Sequence, residues 1–197
     1  MPKNILLVGV GGQGTILASK LLTTGLMKSG YDVKMSEIHG MSQRGGSVSS
    51  QVRYGKKVYS PVIEEGSADI LVSFEKMEAI RWMSYLKKDG IVLVNKHRIN
   101  PMPVLNGKYS YDEVEIDNEL KKLNSITIDA IGEAMSIGNE KVMNIVLLGA
   151  LVKLMELESI DWESIISENV KYNFIEINIK AFNKGKEIVT KKAVENI

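Results

Sequence analysis

The sequence predicts an α/β fold: a Rossmann-like, doubly wound, mostly parallel sheet with an inserted hairpin and a helical C-terminal part. Three observations carry this. A continuous apolar run, Ile5-Leu6-Leu7-Val8, reads as a parallel strand covered on both faces. A glycine-rich turn from Gly9 to Gly14 follows it directly. A stretch with Leu17, Leu21 and Leu22 on one face then predicts a helix over 15–29, with Gly30 at its C-terminal cap.

The remaining elements follow in order. A second strand is expected over 32–36, which makes a first βαβ unit with a right-handed crossover. Residues 37–46 show no apolar period of either kind. Residues 47–54 alternate weakly, Gly55-Lys56 punctuates, and 57–63 reads as extended; together these predict a hairpin inserted after the second strand. A strand over 70–73, a helix over 75–87, a turn at Asp89-Gly90 and a buried strand over 91–95 come next. Pro101 and Pro103 interrupt regular structure, and Asn106-Gly107 has the chemistry to close a small hairpin. A helix is expected over 112–123 and a strand over 126–129. Residues 140–157 are apolar on most sides, as in a buried or an interface helix. The rest of the chain is amphipathic and helical. No repeat or linker divides the 197 residues, so 1–197 reads as a single domain.

Composition narrows the function. Apolar residues make up 44% and charged residues 25%, the balance of an ordinary globular protein. A net charge of +1 offers no general attraction for nucleic acid or an anionic membrane, so neither is an expected partner. No apolar run, Ile145 to Leu148 included, is long enough to span a bilayer. No signal-peptide pattern precedes the first strand, and cytoplasm is the expected location. With 0 cysteines the chain offers no disulfide, thiol nucleophile or cysteine-ligated cluster of its own. His39 and His97 are far apart and show no metal-ligand spacing. Redox chemistry here needs a cofactor held by non-thiol groups or by another polypeptide.

Gly9-Val10-Gly11-Gly12-Gln13-Gly14 matches the G-x-G-x-x-G pattern between a strand and a helix. Gly9 suits the tight turn, Gly11 the approach of a ligand to the backbone, and Gly14 close packing of the helix. Amides at the helix start favour an anion. Glu37 lies near the end of the second strand, where an acid that binds a ribose would sit. The same glycines also serve a strand–helix crossing with no ligand at all.

Ser36-Glu37-Ile38-His39-Gly40-Met41-Ser42-Gln43-Arg44-Gly45-Gly46 is the more informative stretch. A polar, glycine-rich segment of this kind must satisfy its backbone by specific contacts or lie against a partner. His39 has the chemistry of a general base and Arg44 that of an anion clamp. A loop rigidified by its own hydrogen bonds is the alternative.

These two motifs together resemble the gamma-type domain of 2-oxoacid:ferredoxin oxidoreductases. Ala68-Asp69-Ile70-Leu71-Val72 resembles that family's third central strand, and Asn95 stands where the next strand ends in an asparagine. The segment 144–150 is similar to its N-x-x-x-L-G-A helix, and 178–185 to its closing N-x-x-A-F-x-x-G segment. The resemblance covers roughly residues 3–186. A free-standing chain of this length is most similar to the small beta subunit of the indolepyruvate-oxidising branch.

The resemblance implies a subunit of an enzyme that converts aryl pyruvates, coenzyme A and oxidised ferredoxin to aryl-acetyl-CoA, carbon dioxide and reduced ferredoxin. It implies that thiamine diphosphate, magnesium and iron–sulfur clusters sit on a larger alpha subunit, with no cofactor bound by this chain alone. Ferredoxin is then met through the complex, and the isolated chain is a candidate homo-oligomer. Gly9, Gly11, Gly12, Gln13, Gly14, Glu37 and Gln43 become candidates for contact with coenzyme A or with the partner, and His39 and Arg44 for orienting substrate. Two other readings stand beside it: an independent NAD- or FAD-binding oxidoreductase, and a purely structural assembly subunit, for which the 140–157 helix speaks. Asn144 in that helix reads as a structural amide or as a site residue.

Overall fold

The structure, a computed structural model, describes residues 1–38, 46–100, 102–108 and 110–195. Its centre is β1 (Lys3–Val10), in which every residue from Ile5 to Val10 is buried. It is followed by α1 (Thr15–Lys28), β2 (Asp32–Ile38), β3 (Ser47–Gly55) and β4 (Ala68–Ser73). Next come α2 (Lys76–Arg81), β5 (Leu86–Asn95), α3 (Met102–Leu105), α4 (Glu113–Lys121) and β6 (Ser125–Ile128). The chain ends with α5 (Ala130–Ile137), α6 (Met143–Leu154), α7 (Trp162–Asn169) and α8 (Ile175–Glu195).

The strands form one sheet in the order β2-β3-β1-β4-β5-β6. β1, β4, β5 and β6 pair in parallel, while β3 runs antiparallel to both of its neighbours. Helices cover both faces. One face packs Ile5, Leu7, Val72 and Leu93 against α1, α5, α6, α7 and α8. The other packs Leu6, Val8, Leu71 and Val94 against α2 and α4. The doubly wound α/β expectation holds.

The hairpin takes a different form from the one expected. β3 pairs with β2 on one side and β1 on the other, so both of its edges are used. Residues 57–63 therefore have no edge to join and form no strand. They run beside β3 instead, with Arg53 donating to the carbonyls of Ser60 and Val62 and Gln51 accepting from the Ile63 amide. The same insertion separates β1 from β2, so they are not the adjacent pair of a simple βαβ unit.

Other boundaries also moved. The helix expected over 75–87 stops at Arg81 and gives way to a 3₁₀ turn at Met83–Tyr85. β5 then starts early, because Leu86 pairs with Ala68. Asp89-Gly90 falls inside β5 at a shift of register rather than at a turn between elements. Asn106-Gly107 follows the short helix α3 and closes no hairpin; the Gly107 amide donates to Val104. α6 is buried from Met143 to Val152, which makes it a core helix of this chain and not an interface helix.

Candidate functional site

The glycine turn lies at the carboxyl end of β1, where loops from neighbouring strands converge. Such a crevice is where open α/β sheets bind ligands. The Gln13 side chain closes the turn on itself: its Oε1 accepts from the Val10 amide at 2.7 Å, and its Nε2 donates to the Phe74 carbonyl at 2.8 Å. Gly14 has a φ of +81° and caps α1 with no side-chain hydrogen bond. α1 carries no acid in its first turn, so its first amides remain suited to an anion.

The two motifs meet here. The Gly11 amide donates to the Gly46 carbonyl at 2.8 Å. Ser36, Glu37 and Ile38 end β2, and Gly46 leads into β3. His39, Gln43 and Arg44 lie outside the described residues. Glu37 is half-buried and accepts from Ser19 of α1 at 3.1 Å. With β3 inserted, Glu37 stands two strand spacings from β1, roughly 10 Å.

Opposite the glycine turn, the Asn144 Nδ2 donates to the Gly14 carbonyl at 3.2 Å. Asn144 Oδ1 is buried with no hydrogen-bond partner among the described residues. A cleft of about 420 Å³ opens beside this contact, lined by Gly12, Gly14, His97, Ile131, Lys141 and Met143. A smaller groove of about 310 Å³ runs past Gly11, Thr15, Ile16 and Val48. The cleft brings the backbone of the glycine turn together with an imidazole, a lysine, the Glu140 carboxylate and apolar walls.

Several polar residues supporting this region went unread in the sequence. Glu75 caps α2, with its Oε2 accepting from the Glu78 amide at 3.1 Å. Its Oε1 accepts from the Tyr111 hydroxyl at 2.6 Å and the Ile99 amide at 3.3 Å. Burial, then this bond, pushes the Tyr111 phenol upward. Glu78 accepts from Ser47 and pairs with Arg81 at 3.1 Å. Burial raises its carboxyl above the ordinary range, against the pull of Ser47 and Arg81. Burial pulls the Lys76 ammonium down, but Asp117 and Glu113, at 2.8 and 2.9 Å, outweigh it and hold it above its usual value. Asn95 joins β4 to α5, donating to Phe74 and accepting from Ala130. The signal for the acids is the pair Glu75 and Glu78 just after an apolar strand, where acids favour the exposed amides of a helix start. Among the described residues no group of histidines and acids could hold a metal ion, and no helix is long and apolar enough to cross a membrane.

Residues 4–188 match the family model of pyruvate ferredoxin/flavodoxin oxidoreductase. The chain belongs to that family. Within it, the chain is 39% identical to the indolepyruvate oxidoreductase subunit IorB of Pyrococcus horikoshii, over 92% of this chain and 93% of that one. The keto/oxoacid ferredoxin oxidoreductase gamma subunit of Geobacter sulfurreducens superposes with a TM-score of 0.71 at 26% identity, covering 96% of this chain and 99% of that one. The fold also recurs within a longer polypeptide. A 2-oxoglutarate:ferredoxin oxidoreductase chain from Magnetococcus marinus matches with a TM-score of 0.76 at 19% identity, with 31% of its length covered.

Proposed function

We propose that the chain is the cluster-free subunit of a thiamine-diphosphate-dependent 2-oxoacid:ferredoxin oxidoreductase, with aryl pyruvates such as indolepyruvate as substrates. The reaction is oxidative decarboxylation to an acyl-CoA with reduction of ferredoxin. The observation that carries the reading is the hydrogen bond from Gly11 to Gly46, which joins the glycine turn to the second motif at the carboxyl edge of the sheet. The identity to indolepyruvate oxidoreductase subunits from archaea supports the choice of substrate.

In this reading, residues 1–197 act as one domain in the cytoplasm, docked on a larger alpha subunit. That subunit carries thiamine diphosphate, magnesium and the iron–sulfur clusters, and it passes electrons to ferredoxin. Thiamine diphosphate supplies the decarboxylation chemistry there. This chain contributes the edge of the site. The uncapped amides of α1 and the Lys141 ammonium suit a phosphate of coenzyme A, with Gly12 leaving the backbone open to it. His39 and Arg44 are assigned to the carboxylate of the oxoacid.

The test is viologen reduction with indolepyruvate and coenzyme A. The isolated chain is expected to give none, and the chain mixed with its thiamine-bearing partner to give full turnover. Turnover by the chain alone would sink the subunit reading.

A further inference from the structure

We propose that Glu78 is a positioning residue that holds the exit of the second motif against the glycine turn, acting through Ser47. The proposal builds on the subunit reading above and concerns how that site is kept in shape.

Glu78 is on the first turn of α2, yet α2 does not need it for capping; the Glu75 carboxylate already does that. Glu78 is only 4% exposed, between Met77 and Ala79, which pack into the core on the α2 side of the sheet. A buried carboxylate is costly there, and an apolar side chain of similar size would pack at lower cost. Its Oε1 pairs with Arg81 of the same helix at 3.1 Å, but its Oε2 is engaged outside α2. Ser47 Oγ donates to Glu78 Oε2, and the Trp82 indole in turn donates to Ser47 Oγ at 3.3 Å. Ser47 opens β3, and its neighbour Gly46 accepts from Gly11. The carboxylate, the serine and the two glycines form one chain of contacts from α2 to the glycine turn.

The same junction holds the loop on the other side. Glu75 is 1% exposed and accepts from the Ile99 amide, while the Lys76 amide donates to the His97 carbonyl at 3.1 Å. The Phe74 carbonyl receives both Gln13 and Asn95. Residues 74–78 thus tie the glycine turn, the start of β3 and the loop after β5 to one rigid strand end. Preorganisation of a site by buried polar contacts behind it is a recurrent source of activity.

The Gly11 amide is a direct reporter, because it is protected only while Gly46 is in place. Hydrogen exchange is measured by NMR on the full chain for Ser47→Ala, Glu78→Ala and Glu78→Gln, with Leu7 in β1 as the internal reference. Ser47→Ala and Glu78→Ala are expected to speed exchange at Gly11 roughly tenfold, the effect of losing one charge-assisted bond, with Leu7 unchanged. Glu78→Gln keeps an acceptor for Ser47 and is expected to restore part of the protection. In the reconstituted complex, kcat/KM per assembled complex is expected to fall in the same order.

Unchanged protection at Gly11 in Ser47→Ala would overturn the proposal, whether or not Glu78→Ala folds. So would equal acceleration at Gly11 and Leu7, which marks general loosening. Faster exchange at Gly11 with unaltered kcat/KM would overturn the link to activity. If the parent chain supports no turnover with any thiamine-bearing partner, the subunit reading fails, and the exchange measurement still decides the role of Glu78.

Discussion

Gly14 shows how one residue can join sequence motifs that are 130 positions apart. A Cβ at this position would sit 2.5 Å from Asn144 Nδ2, and the φ of +81° disfavours any other residue. Gly12 shares a positive φ, but a Cβ there meets nothing within 4 Å. Gly14→Ala is therefore expected to cost about 2–4 kcal/mol in urea unfolding, from backbone strain plus overpacking. Gly12→Ala is expected to cost about 1–2 kcal/mol from strain alone. Equal losses would remove Asn144 from the account. Glu78 gives a second residue-scale expectation. Burial raises its carboxyl, Glu75 adds to the effect, and Ser47, Arg81 and Trp82 oppose it. With the folded value above the unfolded one, its contribution is complete at low pH and is lost as pH rises through the folded value. Glu78→Gln should gain stability relative to the parent as pH climbs from below the ordinary glutamate range towards neutrality. A urea midpoint difference that does not vary with pH would contradict this. A variant that is more stable yet less well positioned at Gly11 would separate fold from function.

At the level of elements, the two helical signatures turn out to be a packing device. A Cβ on Gly149 of α6 would lie 2.0 Å from the Phe182 carbonyl oxygen of α8, and one on Gly185 would lie 2.0 Å from the Val146 carbonyl oxygen. The backbones of α6 and α8 touch at these reciprocal glycines. Gly185→Ala should force the helices apart and cost about 1–3 kcal/mol or more by thermal unfolding, with the helical circular dichroism signal of the native state retained. A neutral substitution would mean that the helices can slide. The element types were legible where periodicity or capping chemistry was strong: β1, α1, β4, α6 and the strand that ends in Asn95. Where partners decide, the sequence misled. Residues 57–63 have strand-like composition but no free edge beside β3. The tail of the helix expected over 75–87 yields to pairing of Leu86 with Ala68, because tertiary contacts outweigh helix propensity over so short a stretch.

For the molecule as a whole, the placement of β3 bears on which ligand the glycine turn can serve. In a dinucleotide-binding sheet the second strand lies beside the first, and its terminal acid reaches the ribose. Here β3 occupies that place, and Glu37 bonds to Ser19 one strand further out. Calorimetric titration of the chain with NAD is therefore expected to show no micromolar binding; such binding would revive the independent-enzyme reading. By itself the sequence determined the α/β class, the glycine turn at the end of β1 and the family, because these rest on local apolar runs and on contiguous motifs. Only the tertiary structure decided that the two motifs touch through Gly11 and Gly46, that β3 separates β1 from β2, and that Glu75 and Glu78 stand behind the site. Each of these depends on which strand edges and loop ends become neighbours. That choice is made by pairing and burial across the whole chain, and no local pattern of residues records it.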